Sequence, residues 1–247
     1  MCTIVVAWRA FEGAPVAVAA NRDESVDRLA SPPAVVDADP RVVAPRDEAA
    51  GGTWIGYNDA GVLAAVTNRW TDHDREGERS RGLLVRDALS ERSTEDAVRA
   101  VERELEARAY DWFNLLICDA DAAVLLEWDG YLRVSNLAPG VHVVMNVGHD
   151  DDVEVSARRR DSGERQAESA RLLRRDLAPE PRETAAEWLD RAGNALGDHD
   201  YGVCVHADGF GTRSSSLIAL DGDGRGTYRY ADGPPCETPY EAVEADV

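Results

Sequence analysis

The chain has 247 residues, of which 44% are hydrophobic, and its formal net charge at pH 7 is −20. The hydrophobic content is sufficient for one sizeable core. The negative charge argues against binding to nucleic acids or anionic membranes, because both need a basic surface. No segment approaches the ~20 apolar residues of a membrane-spanning helix, and no basic region followed by an apolar stretch predicts a signal peptide. We therefore expect a cytoplasmic protein without membrane insertion.

The charge is dispersed along the whole chain. All 27 basic residues are arginine, and the 47 acidic residues do not gather in one tail. A local acidic block would indicate an interaction segment, whereas a dispersed excess indicates a surface adapted to a special solvent. The composition resembles that of proteins from salt-loving archaea, whose cytoplasm is rich in KCl.

The hydrophobic pattern of the first half predicts strands and then two helices. Alternating and continuous apolar runs predict strands, and spacings of three and four residues predict helices. The predicted elements are a hairpin of Thr3–Trp8 with Pro15–Ala20, a coil rich in Pro and Asp over Ser31–Pro45, strands over Gly51–Gly56 and Gly61–Val66, a helix through Leu83–Leu89, and a second helix that begins at Ser93.

The second half repeats this order. The predicted elements are a hairpin of Phe113–Cys118 with Ala123–Trp128, a strand over Val141–Met145, helices over Glu164–Leu177 and Glu183–Leu196, and strands near Gly202–His206, Ser214–Leu220 and Gly226–Tyr230. Segregated blocks of strands and helices are typical of α+β folds with packed layers. We expect a single domain over residues 1–236, followed by an acidic C-terminal tail over residues 237–247 that frays.

Cys2 directly follows the initiator methionine. If Met1 is removed, the mature chain begins with a thiol and an α-amine on adjacent atoms. An α-amine has a pKa of about 7.7–8.0 and can accept a proton near neutrality, and a thiolate is a strong nucleophile. Nucleophile and base in one residue define the N-terminal-nucleophile hydrolases. Alternatively, Cys2 is a small hydrophobic residue that starts a buried strand.

The other cysteines and the histidines give no metal pattern. Cys118 and Cys204 lie in apolar runs and are interpreted as packing residues, and Cys236 lies in a loop with no assigned role. The histidines have acidic neighbours but lack the i, i+4 helical spacing of paired ligands. We therefore expect no metal site and no cofactor.

An ordered series of motifs resembles the NRDE family, which is also the transport-and-Golgi-organisation protein 2 family. The motifs, which run in order to about residue 220, are Met1-Cys2-Thr3, Asn21-Arg22-Asp23-Glu24, Arg46-Asp47, Gly51-Gly52-Thr53-Trp54-Ile55-Gly56, Ala65-Val66-Thr67-Asn68, Ser80-Arg81-Gly82-Leu83-Leu84-Val85, Phe113-Asn114-Leu115-Leu116, Val144-Met145-Asn146 and Gly211-Thr212-Arg213-Ser214. After Asn146, family members usually continue with a loop containing Pro-Trp, which Val147-Gly148-His149 replaces here.

The resemblance implies a four-layer αββα sandwich of the N-terminal-nucleophile hydrolase type, and it extends distantly to bile-salt hydrolases and penicillin V acylases. It makes Cys2 the nucleophile, with Arg22 beside the thiol and Asp23 accepting a hydrogen bond from the α-amine. Each of Asn68 and Asn146 would then donate to the oxyanion. Arg213 would supply positive charge or hold the carboxylates of the site.

Each of these residues also has a structural interpretation. The run Arg22-Asp23-Glu24 could be surface charge, Asn68 and Asn146 could end strands, and Arg213 could mark a hairpin edge. Two functions follow. The first is hydrolysis of a small amide or N-acyl amine through Cys2. The second is non-catalytic binding or transfer of a hydrophobic ligand, haem or an acyl lipid. The sequence does not assign an oligomeric state.

We predict that stability depends strongly on salt. Repulsion within a chain of net charge −20 is screened in molar KCl, where the Debye length falls to about 3 Å. The melting temperature should rise steeply between low salt and molar KCl. A flat response in thermal unfolding experiments would contradict the halophilic interpretation.

Overall fold

The computed structural model of the protein describes residues 2–244. It contains sixteen strands and four α-helices within that range. The strands are β1 (Cys2–Phe11), β2 (Ala14–Ser25), β3 (Ala30–Ala38), β4 (Arg41–Asp47), β5 (Ile55–Asn58), β6 (Leu63–Asn68), β7 (Phe113–Cys118), β8 (Ala123–Trp128), β9 (Leu132–Asn136), β10 (Gly140–Met145), β11 (Gly148–His149), β12 (Asp152–Val153), β13 (His206–Ala207), β14 (Phe210–Leu220), β15 (Gly226–Ala231) and β16 (Glu241–Ala242). The helices are α1 (Arg81–Leu89), α2 (Thr94–Ala107), α3 (Arg160–Asp176) and α4 (Ala185–Gly197).

The strands form two antiparallel sheets. The first sheet has the order β12-β11-β10-β1-β2-β14-β15-β16, with β13 paired to β14, and the second runs from β3 to β9 with β4–β8 in sequence order between them. In the first sheet, β1 and β2 lie at the centre, so both of their faces are covered. This explains why the apolar runs of these two strands are continuous rather than alternating.

The core is divided into three hydrophobic layers. The side chains of Ile4 and Val6 on β1 face the second sheet, where they share a cluster with Leu116 of β7. Val5, the residue between them, faces the opposite side and packs in a cluster with Trp188 of α4. Helices α1 and α2 cover the outer face of the second sheet. The layers therefore run helix, sheet, sheet, helix, and the predicted αββα sandwich is confirmed.

The coil predicted for Ser31–Pro45 is wrong, since β3 and β4 occupy it. β3 is an edge strand, where Pro32 and Pro33 need not donate to a neighbouring strand, and a register shift between Ser31 and Ala34 accommodates both prolines. The strand predicted near Gly202–His206 is also largely absent, because Gly202 has a left-handed backbone, with φ of 67°. All four predicted helices are confirmed.

The end of the described chain is partly ordered. Within the tail expected to fray, Glu241–Ala242 forms β16 against β15, and the hydroxyl of Tyr240 lies 2.7 Å from that of Ser215 on β14. Residues 245–247 of that tail lie outside the described residues. Within residues 2–244, no helix is both long and apolar enough to cross a lipid bilayer.

The loop before β5 packs tightly on the start of α1, and Gly52 makes this possible. The amide of Thr53 donates to the carbonyl of Gly82 at 3.0 Å. A Cβ atom on Gly52 would lie 2.2 Å from the carbonyl carbon of Gly82 and 2.5 Å from the nitrogen of Leu83. Both obstacles are backbone atoms, so a side chain at this position requires the loop and the helix to separate.

We predict that Gly52→Ala destabilises the protein by at least about 1–3 kcal/mol, the usual cost of overpacking. Gly222→Ala is the matched control, because a Cβ there has nothing within 4 Å, and it should change stability by less than about 0.5 kcal/mol. Chemical denaturation in molar KCl measures both variants. Equal stability of the two variants would contradict the close approach of Gly52 to α1.

Candidate active site

Strand pairing places the Asn21-Arg22-Asp23-Glu24 run beside Cys2. Cys2 begins β1 and lies opposite Arg22 of β2. Arg22 in turn lies opposite Ser214 of β14, next to a register shift. Arg22 and Asp23 are only 6% and 4% exposed, so these charges belong to the interior and not to a surface turn. Asn21 is equally buried and donates to the carbonyls of Leu196 and Val203, both at 3.0 Å.

The backbone nitrogen of Cys2 is held by the side chain of Asn146, the residue that follows β10. It donates to Oδ1 of Asn146 at 3.1 Å. That oxygen also accepts from Nε2 of Gln166 on α3, at 2.9 Å, and Nδ2 of Asn146 donates to the backbone carbonyl of Asn68 at 2.6 Å. Asn146 therefore joins the start of β1, the end of β6 and helix α3.

Cys2 as a whole is partly exposed, and its thiol lies at a polar cavity. Its Sγ donates to the backbone carbonyl of Asp23 at 3.7 Å. Burial raises the pKa of this thiol above its usual value, and the negative charge of Asp23 adds to the effect, while Arg22 opposes it. In this form the thiol is protonated near neutrality, so a base is needed to generate the thiolate.

Arg22 reaches the cavity next to Cys2 and is held there by stacking. Its guanidinium carbon lies 4.3 Å from the ring centroid of Trp54, a cation–π distance. Its ion pair with Glu24 is long, at 3.9 Å. A stacked arginine with a distant carboxylate partner presents positive charge to the cavity at little cost in side-chain freedom.

Asp23 is buried and accepts a hydrogen bond from the hydroxyl of Thr212 at 2.5 Å. Burial raises the pKa of the Asp23 carboxyl to about 7, against the opposing effects of the Thr212 hydrogen bond and the Arg22 charge. The group therefore changes its protonation state near neutral pH. Thr212 also accepts from the backbone amide of Val205 at 2.8 Å, which fixes its hydroxyl toward Asp23.

A small polar cavity opens at the Cys2 thiol. Its volume is about 80 Å³, and it is lined by Cys2, Arg22, Asp23, Glu24, Arg28, Asp47, Thr53, Trp54, Val66, Asn68, Ser80, Arg81 and Gly82. A second cavity of about 180 Å³ shares Asn68 and Arg81 with the first and adds Arg75, Arg159 and Trp70 to its lining. The two cavities adjoin, and arginine is prominent in both.

Four of the six predicted site residues line the first cavity: Cys2, Arg22, Asp23 and Asn68. Asn146 lies behind Cys2, with 1% of its surface exposed, and touches the cysteine through the hydrogen bond described above. Arg213 is not brought to this cavity. It is exposed and lines a different cavity of about 380 Å³ together with His206.

Three residues of the site were missed by the sequence analysis. Thr212 is adjacent to Arg213, and period-two alternation along β14 would have placed one of them inside and the other outside. Gln166 lies on the buried face of α3 with Ala170 and Leu173, so a polar residue on an apolar helical face was the available signal. Trp54 lies in a predicted strand and in one of the family motifs, and neither of these gives it a role at the site.

Two groups of side chains within residues 2–244 have a geometry compatible with metal ions. One consists of Glu127, His149 and Asp152, but Glu127 already forms a buried ion pair with Arg69 at 2.8 Å. The other consists of two histidines and two cysteines from the segment between α4 and β14 and from the loop after β15, and it is considered further below. Neither group lines the Cys2 cavity.

Comparison with solved structures identifies the fold. Penicillin V acylase from Agrobacterium tumefaciens superposes with a TM-score of 0.53 at 16% identity, covering 94% of this chain and 83% of that one. The Caenorhabditis elegans N-acylethanolamine-hydrolyzing acid amidase ortholog gives a TM-score of 0.53 at 12% identity, covering 91% and 94%. The layered sheets with a cysteine at the start of the central strand thus have the N-terminal-nucleophile hydrolase fold.

Sequence comparison assigns the family. The profile of the Transport and Golgi organisation 2 family matches residues 1–230. The Transport and Golgi organization protein 2 homolog of Bos taurus is 29% identical over 238 residues, which cover 85% of this chain and 84% of that protein. The chain belongs to the Transport and Golgi organisation 2 family, which confirms the resemblance drawn from its motifs.

We predict that Asp23 makes stability depend on pH. A carboxyl with a pKa of 3.8 when unfolded and about 7 when folded binds a proton more tightly in the folded state. Its contribution is fully present below about pH 4, is lost as the pH rises toward 7, and then stays constant. The difference in free energy of unfolding between wild type and Asp23→Asn should therefore fall by up to a few kcal/mol across this window.

Chemical denaturation of both proteins at a series of pH values, in constant molar KCl, measures this difference. Subtracting the curve of Asp23→Asn removes the other titrating groups, which the two proteins share. A difference that is constant from pH 4 to pH 8 would show that Asp23 titrates at an ordinary value.

Proposed function

We propose that the protein is an amidohydrolase that cleaves a small amide or N-acyl amine through Cys2. The observation that carries the proposal is the position of Cys2. Its nitrogen is held by Asn146 at 3.1 Å, and its thiol opens into a polar cavity lined by Arg22 and Asn68. Nucleophile, candidate base and donor groups thus meet at one point, as nucleophilic catalysis requires.

The base is the nitrogen of Cys2 itself, once Met1 has been removed. The α-amine takes the thiol proton, directly or through one water, and the thiolate attacks the carbonyl carbon of the amide. When the C–N bond breaks, the same proton passes to the leaving amine. The resulting thioester is then hydrolysed by water, which returns the thiol and releases a carboxylic acid. Asn146 orients the amine through its Oδ1 atom.

Asn68 is the better candidate for the oxyanion donor. Its exposed side chain lines both cavities, so its amide group is accessible to a bound carbonyl. Asn146 already uses one amide hydrogen on the carbonyl of Asn68 and is buried behind the nucleophile. We therefore assign Asn146 as a positioning residue and Asn68 as the group that stabilises the tetrahedral intermediate.

The cavities favour a short, polar substrate. About 80 Å³ at the thiol is far below the ~300–1,000 Å³ of pockets for drug-sized ligands. The adjoining cavity contains Arg75, Arg81 and Arg159, which suit a carboxylate on the part of the substrate remote from the scissile bond. N-acyl amino acids with short acyl groups combine both properties, and the amide substrates named for the two structural neighbours make this bond the first to test.

We predict that Cys2→Ser abolishes turnover of a panel of N-acyl amino acids and neutral N-acyl amines, with acyl groups from acetyl to octanoyl. Asn68→Ala should slow turnover by about 10²–10³-fold, the effect of losing one oxyanion donor. Cys118→Ala and Asn136→Ala are matched controls. Cys118 is buried on β7 and Asn136 is exposed at the end of β9, and neither lines the cavity.

Two further measurements decide between catalysis and binding. Intact mass of protein isolated from its native host should show loss of Met1, and retention of Met1 would exclude the α-amine as the base. Haem and acyl-lipid titrations test the alternative, a binding or transfer protein. Saturable haem binding by wild type and Cys2→Ser alike, without turnover of any amide, would replace the proposal with that alternative.

A further inference from the structure

We propose that two histidines and two cysteines near β13 form a tetrahedral Zn²⁺ site: His199, Cys204, His206 and Cys236. The chain contains only five histidines and four cysteines, and two of each converge here. One ligand atom from each residue lies within 4.8 Å of all the others. Two thiolates and two imidazoles are a ligand set of structural zinc sites. The proposal reverses the expectation of no metal site.

The three distances among the donor atoms of Cys204, His206 and Cys236 lie within about 0.2 Å of the edges of a zinc tetrahedron. Zinc lies about 2.3 Å from sulfur and about 2.0–2.1 Å from imidazole nitrogen, so its ligand atoms lie about 3.3–3.8 Å from one another. Sγ of Cys204 lies 3.4 Å from Sγ of Cys236 and 3.7 Å from Nε2 of His206. Nε2 of His206 lies 3.1 Å from Sγ of Cys236.

The fourth ligand lies on the turn after α4. The ring centroids of His199 and His206 are 5.3 Å apart at an angle of 72°, so the two imidazoles approach edge to face rather than stacking. Edge-to-face rings leave a nitrogen of each free to turn toward one ion. Both histidines are exposed while Cys204 is buried, which gives an entry path from solvent and a protected sulfur ligand.

Close packing between the end of α4 and the loop that carries Cys236 supports this arrangement. A Cβ atom on Gly197, at the end of α4, would lie 3.2 Å from the nitrogen of Cys236. The loop that carries Cys236 is therefore packed directly on the helix end that precedes His199. The ligands come from three separate segments, and this explains why no sequence motif revealed them.

A disulfide between Cys204 and Cys236 is the competing interpretation. A disulfide needs a sulfur–sulfur distance of about 2.05 Å, and both cysteines are free here at 3.4 Å. A disulfide also leaves the two histidines without a role, whereas zinc uses all four side chains. Zinc binding involves no oxidation, because each thiol releases a proton to solvent as its sulfur binds the ion.

The zinc site would stabilise the positions of Thr212 and Asp23 beside Cys2. Val205 lies between two of the ligands, and its amide donates to the hydroxyl of Thr212 at 2.8 Å. Thr212 donates in turn to the carboxylate of Asp23 at 2.5 Å. Fixing Cys204 and His206 on one ion therefore fixes the residue that orients Thr212, and through it Asp23. The proposal itself does not depend on hydrolysis at Cys2.

The test measures metal on the full-length protein, purified in molar KCl with reductant and without chelator. Elemental analysis should give about one zinc per chain. Replacement with Co²⁺ should produce the intense visible bands of tetrahedral cobalt and a sulfur-to-cobalt charge-transfer band. Cys236→Ser and His206→Gln should each weaken zinc affinity by more than the ~10–100-fold that loss of an outer hydrogen bond causes. Cys118→Ala and His73→Gln, outside the cluster, should bind zinc as wild type does.

The wild-type protein provides a readout that does not depend on the folding of any variant. Alkylation followed by peptide mapping should show Cys204 and Cys236 protected in the zinc form and labelled after chelation, and chelation should lower the melting temperature. Absence of stoichiometric zinc together with labelling of both thiols would overturn the proposal. In a parallel preparation without reductant, a mass lower by two hydrogens and the absence of zinc would replace the metal site with the disulfide.

Discussion

The burial of both faces of β1 from Thr3 to Trp8 is the constraint on which the rest of the structure depends. One face of the strand packs between the sheets and the other packs under α3 and α4, so neither a slip of register nor a rotation is tolerated. Since the strand begins at Cys2, the position of that residue is fixed by the core rather than by local loops. The same burial requires that the polar groups at the strand end be satisfied, and Asn146 and the carbonyl of Asp23 do this.

The charged run at the end of β2 shows how the site is built at the expense of stability. Arg22 and Asp23 lie almost fully inside the protein, and burial shifts the pKa of each toward its neutral form. Thr212 and the ring of Trp54 compensate part of this desolvation. Buried charged groups beside a cavity are typical of functional sites, and of these two only Asp23, with a pKa of about 7, exchanges a proton near neutral pH.

The sequence predicted the helices and the central strands, because these are long and their apolar periodicity is strong. It failed at β3, where two prolines and an aspartate hide an edge strand, and at β9, whose residues are mostly exposed and therefore carry no periodic signal. Of the candidate site, the order of the family motifs predicted Cys2, Arg22, Asp23 and Asn68, which line one cavity. Gln166 and Thr212 were missed because their partners are 20 and 189 residues away in the chain, and the local patterns at these positions indicate burial but not the partner.

The hydrogen bond between the nitrogen of Cys2 and Oδ1 of Asn146 has a consequence for the removal of Met1. A peptide nitrogen and an amine can both donate a hydrogen bond, so Oδ1 of Asn146 holds either form in the same place. A peptide nitrogen, however, has its lone pair delocalised into the carbonyl and is not basic. Removal of Met1 would therefore make the nitrogen of Cys2 basic without moving a backbone atom. Under the mechanism proposed above, folding would therefore position the groups of the site first, and removal of Met1 would supply the base afterwards.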